Sequence, residues 1–481
     1  MKTVYLKRLF EKECIEAGKL KHGYIKQMCI AFIMSVKLKK GENSMKKTAV
    51  YFILGNILFA PIWSQETAKQ EAVKQESTEG IKINGLFRTR PQMLNNNGFE
   101  KNKEYDFIEQ KTQLNITNTF SEKSKIKIVI QDSRIIGKLA SGPDQTGVNT
   151  AVEKEALDIR EAYFDYNEML GGALGIQLGR QLITYGDQRL VGAFEWSNTG
   201  RSFDALRIKY NKGAESLQLF SALMQEGNDS APTVNENITF SGIYNSFTVA
   251  PFLMTDIYYL NKNYNDHPGV LNLHTAGVRL TNKTNKGKSD SMVDWSMEGA
   301  YQTGKDNYKD IAAYAGAVTG GVKIAFVRIG AEFDIASGDK DSADKKMETF
   351  NNLYPTNHAH YGHADLMSWR NMLGYSVNTT FFAGENLKII AAFWMMNKLT
   401  EKDDWYNAGS ASVKSFITSK NGVVSKEKTL YNEIDLTVDY KALSYLNLQA
   451  GFYYAMRSAA LKDAGKSADF SYSYLMSTVT F

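Results

Sequence analysis

Cysteine is almost missing from this sequence: there are 2 among 481 residues, Cys14 and Cys29. Both precede residue 65, so a chain cleaved near there has no thiol. That excludes thiolate catalysis, cysteine metal sites and any reliance on disulfides. Proline is scarce as well, with 7 residues, which suits a chain made of paired strands, whose interiors exclude it. The low mean hydropathy excludes a bundle of membrane helices, since each helix needs an apolar run of about 20 residues. Positive charge is missing where it would matter. The formal net charge is +5, but residues 1–64 hold 12 Lys/Arg against 4 Asp/Glu, leaving 45 basic and 48 acidic groups in the remainder. That balance implies no nucleic-acid partner.

Aromatics are abundant, with 26 tyrosines and 25 phenylalanines. Both favour strands and gather at membrane interfaces. From Ile81 onward, apolar and polar residues alternate. Ile81, Ile83 and Phe87 oppose Lys82, Asn84, Arg88 and Arg90. Ile126, Ile128 and Ile130 oppose Lys125, Lys127 and Gln131; Leu206, Ile208 and Tyr210 oppose Arg207 and Lys209. Val327, Ile329, Ala331 and Phe333 oppose Arg328, Glu332 and Asp334, and Ile434, Leu436, Val438 and Tyr440 oppose Glu433, Asp435, Thr437 and Asp439. A period of two places each set on its own face of a strand.

Alternation fits either a soluble sandwich or a membrane barrel. Three features choose the barrel. The polar face carries charges of both signs in strand after strand. Residues 45–64, MKKTAVYFILGNILFAPIWS, have the layout of a secretory signal peptide. The ending SYSYLMSTVTF is an aromatic, alternating strand that resembles the terminal recognition strand of Gram-negative outer-membrane proteins, with Phe481 as its contact for the assembly machinery. The expectation is an all-β, antiparallel transmembrane β-barrel of about 16–18 strands, of outer-membrane type, over residues 81–481. It sits in outer-membrane lipid of a diderm bacterium and is wide enough for an aqueous channel. Residues 65–80 read as a flexible periplasmic tether. Residues 1–44 read as an upstream extension, with translation starting at Met45. The polar segments 141–155, 336–352 and 399–415 read as extracellular loops.

One region concentrates arginine, glycine and acid: GRQLITYGDQRLVGAFEWSNTGRSFDALRIKY, Gly179–Tyr210, with Arg180, Arg189, Arg201 and Arg207. Together with QDSRIIGK (131–138) and LDIREAYFDY (157–166), it closely resembles the alginate export family of outer-membrane channels. FDIASGDKD (333–341), LYPTNHAHYGHADL (353–366) and NEIDLTVDYKALSYLNLQAGF (432–452) match more loosely. The resemblance implies an 18-stranded monomeric barrel, partly plugged by a periplasmic turn, with an arginine-rich constriction that passes an anionic saccharide or another small anion.

Elementary chemistry agrees, because arginine offers paired donors to carboxylates and weak repeated sites let an anion move on. Parity places Arg88, Arg90, Arg207, Lys209 and Arg328 on lumen faces. Arg134, Arg160, Arg180, Arg189 and Arg201 enter the pore-lining set through the resemblance. Asp187, Asp204, Glu332 and Asp334 are candidates to hold the arginines and temper their field. The competing readings are a structural Arg–acid ladder in the wall, a general or other-substrate porin, and a surface adhesin built on the loops.

No enzyme is expected. His267, His274 and the cluster His358, His360 and His363 supply residue types for catalysis, but no motif links them. The H-x-H-x-x-H spacing could hold zinc, yet no cysteine or H-E-x-x-H frame supports it. The segment reads as a polar loop, with no metal and no cofactor.

Overall fold

The computed structural model describes residues 80–136, 157–225, 238–250, 252–266, 269–282 and 292–481. The upstream extension, the signal peptide, all but the last residue of the tether, the polar segment 141–155 and His267 lie outside the described residues.

The chain runs through β1 (Gly80–Asn95), β2 (Tyr105–Ser121), β3 (Ser124–Ile136), β4 (Leu157–Met169), β5 (Leu174–Gln181) and β6 (Phe203–Lys212). It continues with β7 (Glu215–Gln225), β8 (Ile238–Ala250), β9 (Leu253–Asp266), β10 (Gly269–Thr281), β11 (Val293–Asp306) and β12 (Lys309–Ile324). The last six are β13 (Val327–Ala336), β14 (Met372–Ala383), β15 (Leu387–Asn397), β16 (Thr429–Leu443), β17 (Leu446–Arg457) and β18 (Phe470–Thr480). Each pairs antiparallel with its sequence neighbours, and β1 also pairs with β18. The result is a closed 18-stranded barrel with no free sheet edge. A two-residue strand, Lys346–Met347, adds in parallel to β12.

The closing seam runs from Leu86↔Thr480 to Thr89↔Ser477 and resumes at Gln92↔Tyr474. The gap falls at Pro91, which has no N–H to give the ladder. Below the gap, Gly85 and Phe481 exchange backbone hydrogen bonds at 2.8 and 3.1 Å.

The faces follow the alternation. Ile81 and Ile83 are 65% and 64% exposed, Leu178 58% and Val377 59%. Their opposite-parity neighbours Arg88, Arg90, Gln177 and Ser376 are buried. An outward apolar and inward polar wall is the inverse of a water-soluble protein and the requirement of a barrel in lipid. No helix among the described residues is long and apolar enough to cross a membrane; strands make the crossing.

Short turns such as 122–123, 170–173, 213–214 and 444–445 lie at the end of the barrel where Gly80 and Thr480 sit. The long connections 182–202, 337–371 and 398–428 lie at the other end, which is the extracellular one in such barrels. The segments expected as extracellular loops at 336–352 and 399–415 belong to these connections, and they fold inward. Phe350, Trp369, Trp405 and Ile417 are 0–1% exposed. Phe99 centres one cluster, with ring centroids 6.1 Å from Trp405, 6.3 Å from Phe416 and 6.0 Å from Phe470. Apolar side chains spaced along these connections have nowhere else to bury, so the outer mouth acquires a core of its own. Among the described residues, the filling of the barrel comes from these long connections, joined by Phe99 of 96–104 and Leu461 of 458–469.

Candidate functional site

Segment 182–202 leaves β5, turns into the lumen and returns at β6. Its turns need a left-handed backbone at Gly186 (φ 53) and Gly200 (φ 71). A side chain at Gly200 would strike the Arg160 guanidinium at 2.4 Å. The wall of β1–β4 holds the segment mostly by its carbonyl oxygens. Arg88 donates to the carbonyls of Glu195, Trp196 and Ser197 at 3.0–3.3 Å. The Lys111 ammonium, 2% exposed, donates to Ser197 O at 2.7 Å. Gln131 and Ser133 each donate at 2.9 Å, to Thr199 O and Asn198 O. Arg160 reaches Ala193 O at 3.1 Å and the Glu195 carboxylate at 2.5 Å.

The opposite wall grips the segment with ion pairs. Arg189, 2% exposed, donates to Asp334 at 2.9 Å, to the Tyr361 hydroxyl at 3.0 Å and to Glu332. Tyr361 and Trp369 flank it, with centroids at 5.3 and 5.6 Å. Burial works against the charge, but Tyr361, Asp334 and Glu332 outweigh it and keep this guanidinium firmly protonated. Asp187 accepts from Arg279 at 2.6 Å and from Ser296 at 2.9 Å. Burial pushes its carboxyl up, yet the Arg279 contact wins and holds it at about 2.

Lumen cations therefore fall into two groups. Arg90–Glu109, Arg160–Glu195, Lys209–Asp165, Arg279–Asp256 and Arg328–Asp294 are neutralised pairs, as is Arg189 with its two acids. A second group pairs with no carboxylate among the described residues. Arg201 donates to the carbonyls of Gly192 and Pro355 at 3.1 and 2.7 Å. Burial lowers it to about 10. Arg370 donates to Ser410 O at 2.9 Å and stacks on Tyr406 at 4.2 Å. Lys262 sits 5.0 Å from the Tyr354 ring, whose other close cation is Arg201 at 5.7 Å. Arg207 binds Gln177 and Gln218.

Not every residue expected in the lumen is there. Arg180 and Asp204 pair with each other at 3.1 Å and share the outward parity of Leu178 and Leu206 at the extracellular rim. Arg134 points outward beside Ile136 and pairs with Asp132 at 2.8 Å. These three stand on the outer face, where their charge is tolerable only at headgroup depth. Conversely, Lys111, Arg279, Lys262, Arg370 and Trp196 belong to the interior and were not expected from the sequence. Arg279 had a legible signal, since it alternates with Val278 and Leu280, whereas Lys111 stands between Gln110 and Thr112 and had none.

The three histidines lie on the connection 337–371, the loop expected, and pack inward. His358 stacks on Trp196 at 3.7 Å, and Asp365 bonds both, at 3.0 and 3.1 Å. His363 pairs with Asp435 at 3.3 Å. His360 donates Nε2–H to Asp187 O at 2.8 Å. Each imidazole is committed to packing, and no group of metal-ligating residues forms among the described residues.

Burial, helped by Arg189, lowers His360 to about 4. The sign follows. Between about 4 and 6.5 the unfolded chain binds this proton and the folded one does not. The contribution, roughly 3 kcal/mol, is therefore complete above 6.5 and lost as pH falls to about 4. His358 is also lowered by burial and acts in the same direction. His363 is held up by Asp435 against burial, so its contribution is lost instead as pH rises above 6.5. The expected result is lower protection of segment 182–202 at pH 4.5 than at pH 6.5, each measured against the intrinsic exchange rate at that pH. His360→Gln keeps an N–H donor and should flatten that difference; an unchanged pH response in the variant would remove His360 as the cause.

The sequence pattern of the alginate export family matches residues 81–468. No curated protein matches the sequence. Among solved structures, the barrel is similar to three from Pseudomonas aeruginosa. OccD3 (OpdP) has TM-score 0.56 and 10% identity, with 85% of this chain and 92% of that chain covered. OccK8 (OprE) has TM-score 0.55 and 10% identity over 83% and 98%. OpdK, solved with vanillate, has TM-score 0.54 and 12% identity over 83% and 98%. At such identities the likeness is one of fold.

Proposed function

The chain belongs to the alginate export family, and from that premise we propose that it passes anionic saccharides or other anionic solutes by passive diffusion through a cation-lined lumen, as a monomer. It is an outer-membrane channel and not an enzyme. The selectivity rests on one observation. Most lumen cations are neutralised by a carboxylate, whereas Arg201 and Lys262 gather at Tyr354 with no carboxylate partner among the described residues, and Arg370 adds a third charge near Asp403 and Asp404. Lys262 lies within electrostatic reach of both arginines. A positive field left standing inside a low-dielectric wall draws anions and repels cations. The paired cations serve as struts that hold the inward segment.

The densely filled outer mouth argues against an unselective porin and against a channel that stays open to a bulky polymer. The exposed Phe481, bonded through its backbone to β1, is suited to recognition by the outer-membrane assembly machinery.

Reversal potentials of the refolded protein in planar bilayers, under a salt gradient, test the reading. Anion preference with block by a soluble oligouronate is the expected outcome. An open pore with no anion preference would reduce the protein to a general porin.

A further inference from the structure

The lipid-facing wall carries a groove of about 660 Å³ across the closing seam. It follows the hydrogen-bonding direction of the sheet rather than any one strand. Val438, Ala450, Leu475, Pro91, Ile108 and Ile136 face outward and succeed one another from β16 to β3, each across from the next in the register, with Leu475 and Pro91 in the seam gap. Five steps of about 4.8 Å between strands make this row roughly 24 Å long. Ala450, Pro91 and Ser473 are short, so the surface dips between the long side chains of Phe452, Met93 and Leu475, which are 49%, 51% and 65% exposed. The row climbs as it crosses the wall. Val438 stands nine residues from the outer end of β16, Leu475 five from that of β18, Pro91 four from that of β1, and Ile136 at that of β3. The groove therefore descends obliquely from the extracellular rim into the hydrocarbon.

A cation stands at its upper end. Arg134 shares the outward face of Ile136, two residues away and roughly 7 Å along β3. Asp132 takes its Nε–H at 2.8 and 3.1 Å, which leaves Nη1 and Nη2 without a hydrogen bond among the described residues. Asp106, the acid that borders the groove itself, lies four residues further out on β2 than Gln110, the partner of Arg134 in the register, or roughly 13 Å along the strand. The guanidinium thus offers two parallel donors at headgroup depth, a fork that matches phosphate oxygens. Its long stem lets it reach outward along the apolar surface.

We propose that this groove seats one acyl chain of a phosphorylated lipid of the outer leaflet, with the phosphate on Arg134. The inference concerns the outer face and is independent of what the lumen passes. Burial from water does not select the chain, because it leaves one hydrocarbon environment for another. Fit selects it. A groove fixed in the sheet makes dispersion contacts along a chain that a convex wall lacks. The phosphate adds paired, charge-assisted hydrogen bonds where the groove meets the headgroups. A chain lying there covers the seam gap at Pro91.

The test is native mass spectrometry of the refolded full barrel released from detergent, with lipid A and with the same lipid stripped of its phosphates. The expected result is one lipid A retained per barrel and roughly tenfold less of the stripped form. Ala450→Phe fills the groove from the lipid side, where an apolar side chain leaves the strand ladder intact. It should lower retention roughly tenfold without lowering the thermal midpoint. Arg134→Gln should bring the two forms to equal retention. A series of bound lipids with no preference for one overturns the proposal, as does wild-type retention in Ala450→Phe. Equal retention of both forms by the unaltered barrel overturns it as well, since Arg134 would then recognise nothing. Barrel dimers that Ala450→Phe disperses, with no lipid retained, would assign the groove to a second copy of this chain instead.

Discussion

Lys262→Glu should invert the ion preference of the channel. The ammonium stands 5.0 Å from the Tyr354 ring with no carboxylate partner among the described residues. An anion passing about 6 Å away gains roughly 0.7 kcal/mol at a water-like dielectric and about 3 kcal/mol at an effective value near 20. That corresponds to about 3- to 100-fold in permeability ratio for removing the charge, and more for reversing it. The shift should be largest in dilute salt, since screening reaches about 10 Å at 0.1 M and about 3 Å at 1 M. Reversal potentials at both ionic strengths check this. A paired control sharpens the result. Lys209→Gln combined with Asp165→Asn removes a lumen cation together with its partner and should leave the ratio within about twofold. If the control moves selectivity as far as Lys262→Glu does, the distinction between neutralised and free cations has no functional content.

Arg189→Met should release the inward segment. The substitution leaves Glu332 and Asp334 facing each other in a dry interior with nothing to balance them. Removing one partner of such a buried network costs about 3–5 kcal/mol. The barrel ladder stays intact, so the loss falls on the contact between residues 182–202 and the wall. Hydrogen exchange should show protection lost there and on 354–361 while the strands keep theirs. Arg189→Lys should recover only part, because an ammonium cannot reach two carboxylates and the Tyr361 hydroxyl in one plane. Full protection in Arg189→Met would mean that the carbonyl bonds from Arg88 and Lys111 hold the segment unaided.

The wall was readable from the sequence because each strand repeats with period two, and only one face can meet lipid. Arg88, Arg90, Arg207, Lys209 and Arg328 point inward as their parity implies. Lys262 escaped because IYYL, residues 257–260, is apolar on both faces and hides the alternation. Arg180 was placed in the lumen on a resemblance and Asp204 as an acid to hold the arginines, but at a strand end a one-residue difference in parity is the difference between lumen and lipid. The interior packing was not legible for another reason. Arg189 and Asp334 lie 145 positions apart, and no local pattern announces a partner at that range. The packing of the histidines was hidden for the same cause, since what covers them is segment 182–202 and β16.

The proline gap in the closing seam bears on how the ring is sealed. Thr89 and Ser477 are 388 positions apart, and their hydroxyls meet at 2.8 Å. Joining ends so distant costs about 5 kcal/mol in chain entropy beyond a constant. That cost is met first by the unbroken rungs from Leu86 to Thr89 and by the Gly85–Phe481 exchange beneath them. Pro91 is the one proline within a described strand, and it interrupts the zipper before the upper rungs. The joint is thus riveted at its base and carries a separate, shorter run of four rungs above, so a sideways strain on the wall would part the strands near the outer leaflet first.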